Sequence, residues 1–207
     1  MADQRTSEPE RKARTRMSAP QRRESILAAA TEVFALTGYE RGKASAVAKR
    51  IGVSEPVIFQ NFGTKAALFA AVVTRAADHA CEFLDHLAAQ PISVPELMAL
   101  LLNPAHVEQF HAPGSVGALF AEASAVTGEP EIEAAAREAT QRMAAGLAHL
   151  LDRGRADGQL RADLDPEAAA WWLLSLLASR NFRHATAGDP ASVESRLAET
   201  TVAFFTA

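Results

Sequence analysis

Two short helical stretches, 43–51 ("KASAVAKRI") and 55–62 ("EPVIFQNF"), are separated only by Gly52, Val53 and Ser54. A link of that length leaves room for a single tight turn, so the two stretches must pack steeply on each other as a helix-turn-helix. Gly52 supplies the stop for the first, and Ser54 or Glu55 the N-cap of the second. Ala44, Val47, Ala48 and Ile51 share one face of the first helix, and Ile58 and Phe62 are the matching core residues of the second. Such a pair needs a third helix to close its core. That helix is predicted over 19–37. Ser18 with Gln21 forms a capping-box pattern, Pro20 occupies the first turn, Ile26, Leu27, Ala30, Val33 and Phe34 share one face, and Gly38 ends the run. A fourth helix begins after Thr64, its Leu68, Phe69, Val72, Ala76, Ala80, Phe83, Leu84 and Leu87 keeping one stripe as far as Pro91.

Beyond Pro91 the pattern stays helical and is punctuated by "NP", "APG", "TGEP", "DPE" and "AGDP". Helices are expected over 94–102, 105–111, 115–126, 130–157, 166–185 and 190–205, with no strand. The helix from Pro130 carries Ile132, Ala136, Ala139, Met143, Leu147 and Leu150 on one side. "AAAWWLLSLLA" is apolar nearly all round, which requires burial on two sides. With Val193, Leu197, Phe204 and Phe205 on the last helix, the C-terminal pair is expected to cover its own core and a second subunit. The fold class is therefore all-α, about nine to ten helices. A flexible basic arm (1–17) precedes a three-helix head (18–64), and a larger helical domain (65–207) follows.

Charge divides along the same line. Residues 1–75 carry thirteen Lys/Arg against seven Asp/Glu, a net +6, while the remainder carries a net −10. The first third suits a polyanionic partner and the rest would be repelled by one. The longest apolar run is far shorter than the roughly 20 residues a membrane span requires. The N-terminus lacks the apolar core of a secretory signal, so the expected location is the cytoplasm. Cys81, the one cysteine, lies near His79 and His86 without any recognised zinc spacing, and neither a metal nor a cofactor is expected.

The segments "ILAAATEVFALTGYE", "VAKRIGVS", "F..NF" and "TKAALF", in this order over 26–69, resemble the TetR-type bacterial transcriptional regulators. The resemblance implies a homodimer with two DNA-reading heads, joined through the last two helices. It also implies a helical ligand domain, and repression of a pseudopalindromic operator relieved by a small molecule. Several positions depart from the family pattern. Gly42 and Lys43 stand where threonines are usual, Phe59 replaces a tyrosine that hydrogen-bonds a phosphate, and Gln60 and Asn61 precede the final phenylalanine where an aromatic or histidine is frequent.

Phosphate anchoring and base reading are separable tasks, so a recognition helix with little positive charge is workable. Lys43 and Lys65, with Lys49 and Arg50 near them, are candidates for backbone phosphates; Ser45 and Thr64 could donate hydroxyl bonds. Lys65 matches a lysine the family uses this way. Gln60 and Asn61 have the amides suited to adenine, and Val57 could meet a thymine methyl. Glu55 has two readings: a carboxylate favouring the helix N-terminus, or an acceptor for cytosine N4. Arg11, Lys12, Arg14, Arg16, Arg22 and Arg23 either follow DNA or solvate a tail.

For a ligand pocket between C-terminal helices the candidates are Phe83, His86, Met98, Phe110, His111, Phe120, Met143 and Trp172, each with ordinary core packing as its alternative. The apolar character of this domain points to a hydrophobic or amphipathic effector. His79 and His106 read equally as surface, pocket or pH-sensitive groups. No glycine-rich phosphate loop, nucleophile elbow or paired metal motif favours an enzyme. The other rival is a helical interaction protein that has lost DNA reading, which the departures at Phe59 and Gly42–Lys43 would explain and the basic head opposes.

Overall fold

The computed structural model describes residues 17–206, and all regular structure among them is helical. In chain order the helices are α1 (Ala19–Arg41), α2 (Ala44–Ile51), α3 (Glu55–Phe62), α4 (Lys65–Ala88), α5 (Val94–Leu101), α6 (Pro104–His111), α7 (Val116–Ala125), α8 (Pro130–Ala156), α9 (Pro166–Ala178), α10 (Arg180–Thr186) and α11 (Pro190–Thr206). Arg11, Lys12, Arg14 and Arg16 of the expected arm lie outside the described residues.

Local chemistry accounts for most boundaries. Ser18 and Gln21 form the expected capping box, each side chain bonded to the other's backbone N–H, and Ser93 with Glu96 repeats the device at α5. Prolines occupy the first turn of α1, α3, α5, α6, α8 and α9, where a missing N–H breaks no intrahelical bond. Gly52, at φ 69° and ψ 35°, takes the left-handed conformation that ends α2 and turns the chain into α3.

Two expectations change. The first helix does not simply stop at Gly38. There φ is 73° and ψ 176°, and the chain then makes one further turn to Arg41 as the Gly42 N–H bonds the Gly38 carbonyl. Only glycine suits that position, because a Cβ would also lie 2.7 Å from Oε1 of Glu122. The single helix expected over 166–185 is two helices, so eleven lie among the described residues where about nine to ten were expected. The break is at Ser179, whose hydroxyl donates to the Ser175 carbonyl at 2.8 Å, a back-bond that competes with the helical ladder and bends it.

Packing does not divide at residue 64. One core joins Ile26, Phe34, Val47 and Ile58 of the head to Phe69 and Val72 of α4, Leu119 of α7 and Ile132 of α8. Phe69 is fully buried and meets Phe34 edge-on at 5.1 Å and Tyr39 at 5.3 Å, contacts worth about 0.5–1.5 kcal/mol each beyond burial. A second core joins Leu87, Leu97, Met98, Leu147, Leu151, Leu173 and Phe205. Helices α4 and α8, which pack extensively on each other, run through both. Among the described residues no single helix is long and apolar enough to cross a membrane. Helices α3 and α4 pass that test only as a pair, bent by 68°.

Candidate functional site

Burial of Ile58 and Phe62 fixes the orientation of α3 and leaves Glu55, Pro56, Phe59 and Gln60 exposed, with Val57 half-buried beside them. Positions 55 and 59 are one helical turn apart, so the glutamate, phenyl ring and Gln60 amide form one outward face. Pro56 sits in the first turn and Glu55 is the acidic residue there, at the positive end of the helix dipole. Lys43 and Ser45 are exposed at the start of α2, where Lys43 occupies the N-cap position without a side-chain cap bond.

Asn61, beside Gln60 on α3, is half-buried and carries an intrahelical bond. Its Nδ2 donates one hydrogen to the Val57 carbonyl at 2.7 Å within α3, leaving the second amide hydrogen and Oδ1 for another partner. Its own carbonyl accepts from Arg23, whose guanidinium lies 4.0 Å from the Phe62 ring centroid. Arg23 thus braces α1 against α3. Arg50 is held by Glu32 of α1 in an ion pair, while Lys49 is exposed.

Thr64 and Lys65 stand where α4 leaves the head. The Thr64 hydroxyl caps α4 by accepting from the Ala67 N–H at 2.9 Å and donates to Oε2 of Glu131 on α8 at 3.2 Å. Nζ of Lys65 donates to the Glu40 carbonyl at 3.0 Å and lies 4.5 Å from the Tyr39 ring centroid, leaving two ammonium hydrogens for another acceptor. Tyr39 is tied to the body twice: its N–H donates to Glu122 and its hydroxyl to Glu129, both at 2.8 Å. Burial, followed by that bond to Glu129, pushes the Tyr39 phenol up to about 12.

A cavity of about 590 Å³ opens between the two cores, walled by α4, α5, α6, α7, α8, α9 and the start of α10. Its size falls in the roughly 300–1,000 Å³ range of small-molecule sites. Phe83, Met98, Phe110, His111, Phe120 and Met143 line it as expected. His86 and Trp172 do not. His86 is exposed near the end of α4 and contacts Gln90 through its Nε2, while Trp172 faces outward, stacked on Phe204 at 5.9 Å with Nε1 donating to Thr201. In each case the helix turns the side chain away from the cavity.

Several lining residues were missed, among them Ser124, Thr140 and Asn181. For Thr140 a signal existed, since it shares the α8 stripe with Ala136, Met143 and Leu147. Gly117 also lines the cavity. A Cβ there would collide with the carbonyl and ring of Phe110, so its hydrogen lets α7 approach α6. His111 is half-buried and its Nδ1–H donates to the Val107 carbonyl at 2.8 Å. Burial is the main cause holding its pKa below the ordinary histidine value and outweighs the backbone bonds that favour the cation, keeping the ring uncharged at neutral pH. The Cys81 thiol is pushed up, chiefly by burial, and among the described residues no His, Cys, Asp and Glu cluster could hold a metal.

Residues 26–72 match the model of the family described as bacterial regulatory proteins, tetR family. The HTH-type transcriptional activator FasR of Mycolicibacterium smegmatis is 41% identical over 64 residues, covering 31% of this chain and 29% of that protein. The similarity therefore spans less than a third of that relative's length. Solved structures share nearly the whole frame. A TetR-family transcriptional regulator from Cytophaga hutchinsonii superposes with a TM-score of 0.74 at 17% identity, covering 93% of this chain and 98% of that one. FadR from Bacillus subtilis, solved in complex with stearoyl-CoA, gives 0.68 at 18% identity, covering 88% and 98%. Residues 26–72 thus carry a tetR-family head, and the helical frame that continues from it has the fold of these solved regulators.

Proposed function

We propose that the protein is a transcriptional repressor that binds a pseudopalindromic operator as a homodimer and is released by a small molecule seated in the α4–α9 cavity. The observation that carries this reading is the course of α4. Its first residue, Lys65, lies against the DNA-reading head, and His79, Ala80, Phe83 and Leu84 of the same helix form a wall of the cavity. A ligand that prefers one placement of α4 therefore biases the placement of the head. Release follows only if the ligand binds the DNA-incompetent arrangement more tightly.

Operator reading is assigned to Gln60, with Val57 toward a thymine methyl, and Lys43, Ser45 and Lys65 as phosphate anchors, while the Thr64 hydroxyl is held by Glu131. Phe59 contributes apolar contact in place of a phosphate bond. The dimer reading rests on exposed aromatics at the C-terminal end of the chain: Trp171, Trp172, Phe182 and Phe204 are each at least 42% exposed. Such a patch is costly in a monomer and typical of an interface.

The test is selection of genomic fragments by the purified protein at near-physiological salt, footprinting of the enriched fragment, and light scattering of the free protein and its complex. One protected palindrome bound by two chains is expected. Salt-labile binding indifferent to sequence would favour the reading in which DNA recognition has been lost.

A further inference from the structure

We propose that the cavity takes an uncharged, largely apolar molecule carrying a hydrogen-bond donor such as a hydroxyl or N–H, and that it rejects carboxylates and other anions. The inference rests on the effector reading above for its regulatory meaning, but the site chemistry stands by itself.

No Asp, Glu, Lys or Arg lines the cavity. A ligand charge placed inside would lose its hydration with no counterion, a penalty that strongly favours the neutral form. Three of the polar side chains in the wall spend their hydrogens on their own helices. The Thr140 hydroxyl donates to the Ala136 carbonyl at 2.8 Å, the Ser124 hydroxyl to the Phe120 carbonyl at 2.8 Å, and Nδ1–H of His111 to the Val107 carbonyl at 2.8 Å. What these three present to a ligand is lone pairs: two hydroxyl oxygens and Nε2 of a neutral imidazole. A hydroxyl or N–H donor is complementary to these three groups, whereas a carboxylate, an acceptor only, gains nothing from them.

The rim adds a second, independent bias. His79 lines both the cavity and a neighbouring surface depression that contains Glu24, Asp78, Glu82 and Arg75. Among the described residues Arg75 pairs with Glu24 and Arg142 with Asp78, which leaves the Glu82 carboxylate as the excess charge beside this edge. An anionic headgroup held at this edge would meet net negative charge. His79, His106 and Asn181 also line the cavity and can donate as well as accept, so the exclusion of anions rests on the absence of any Lys or Arg counterion in the wall.

The experiment is calorimetric titration of the full-length protein at neutral pH with matched ligands: decanol, decanoate and decylamine, then naphthol and naphthoate. At least one alcohol or phenol is expected to bind about tenfold tighter than its carboxylate partner, a difference of about 1.4 kcal/mol. The variant Met143→Lys, which places an ammonium in the wall, should narrow or reverse that ranking. A carboxylate binding as tightly as its alcohol in the unmodified protein, or no binding by any of these ligands, overturns the proposal. Operator release is measured separately on the selected fragment. An alcohol that binds without altering operator affinity leaves the ligand class standing and removes the effector reading.

Discussion

The hydroxyl of Tyr39 donates a 2.8 Å hydrogen bond to Oε1 of Glu129, joining the last turn of α1 to the residue that precedes α8. The two are 90 positions apart in sequence, yet the bond bridges the helix-turn-helix head and the helical body. With the Glu122 bond to the Tyr39 N–H and the Thr64 bond to Glu131, three carboxylates of the body hold the head.

Tyr39 is the one tyrosine in the chain, so its ionisation can be followed by tyrosinate absorbance without interference from another. The folded protein should titrate near 12, and the urea-unfolded chain near the ordinary value of 10. Between these values the unfolded state releases the phenolic proton and the folded state keeps it, so stability should fall as pH rises through this interval. Glu129→Gln should bring the folded midpoint down. Tyr39→Phe should cost about 1 kcal/mol in urea unfolding, the usual net worth of such a bond.

Lys65→Ala should weaken operator binding across sequences and lower the slope of log affinity against log salt by about one. Gln60→Ala should instead change the preferred sequence at one position and leave that slope alone. Fluorescence anisotropy with the footprinted site and single-base variants measures both. An unchanged slope would mean that Lys65 stays bound to the Glu40 carbonyl on DNA.

Gly117→Ala should destabilise the protein by about 1–3 kcal/mol, the usual cost of overpacking, because its methyl would meet the Phe110 carbonyl and ring. Urea midpoints at a constant slope would measure it. The same shift of α7 from α6 should alter ligand affinity, since both helices wall the cavity.

The neutral His111 gives a pH dependence of the opposite sign to Tyr39. Its folded pKa lies below the ordinary 6.5, chiefly through burial. Between the lowered value and 6.5 the unfolded chain holds the additional proton, so stability should rise with pH across that interval and be level, for this residue, on either side. Urea unfolding of the parent and His111→Gln over a pH series isolates the contribution: the slope difference between them should be confined to this range.

The helix-turn-helix and nearly every helix boundary were legible in the sequence, because they depend on chemistry spanning a few residues. Gly52 turns the chain by a left-handed backbone, Ser18 and Gln21 cap each other, and prolines sit where no N–H is required. The apolar stripes likewise identified which residues would be inside, as Ile58 and Phe62 are. Tertiary structure decided what each half-apolar side chain faces. Trp172 and Phe110 read alike on their helices, yet one stacks on Phe204 at the surface and the other walls a cavity, because helix rotation is set by packing between distant segments. The division of hydrogen-bonding roles was equally hidden. That Asn61 gives one amide hydrogen to Val57, or that Thr140 offers the cavity only lone pairs, depends on rotamers chosen after the helices have met. Composition determined a basic head on an apolar helical body; three-dimensional contact alone fixed Tyr39 to Glu129 and so joined one to the other.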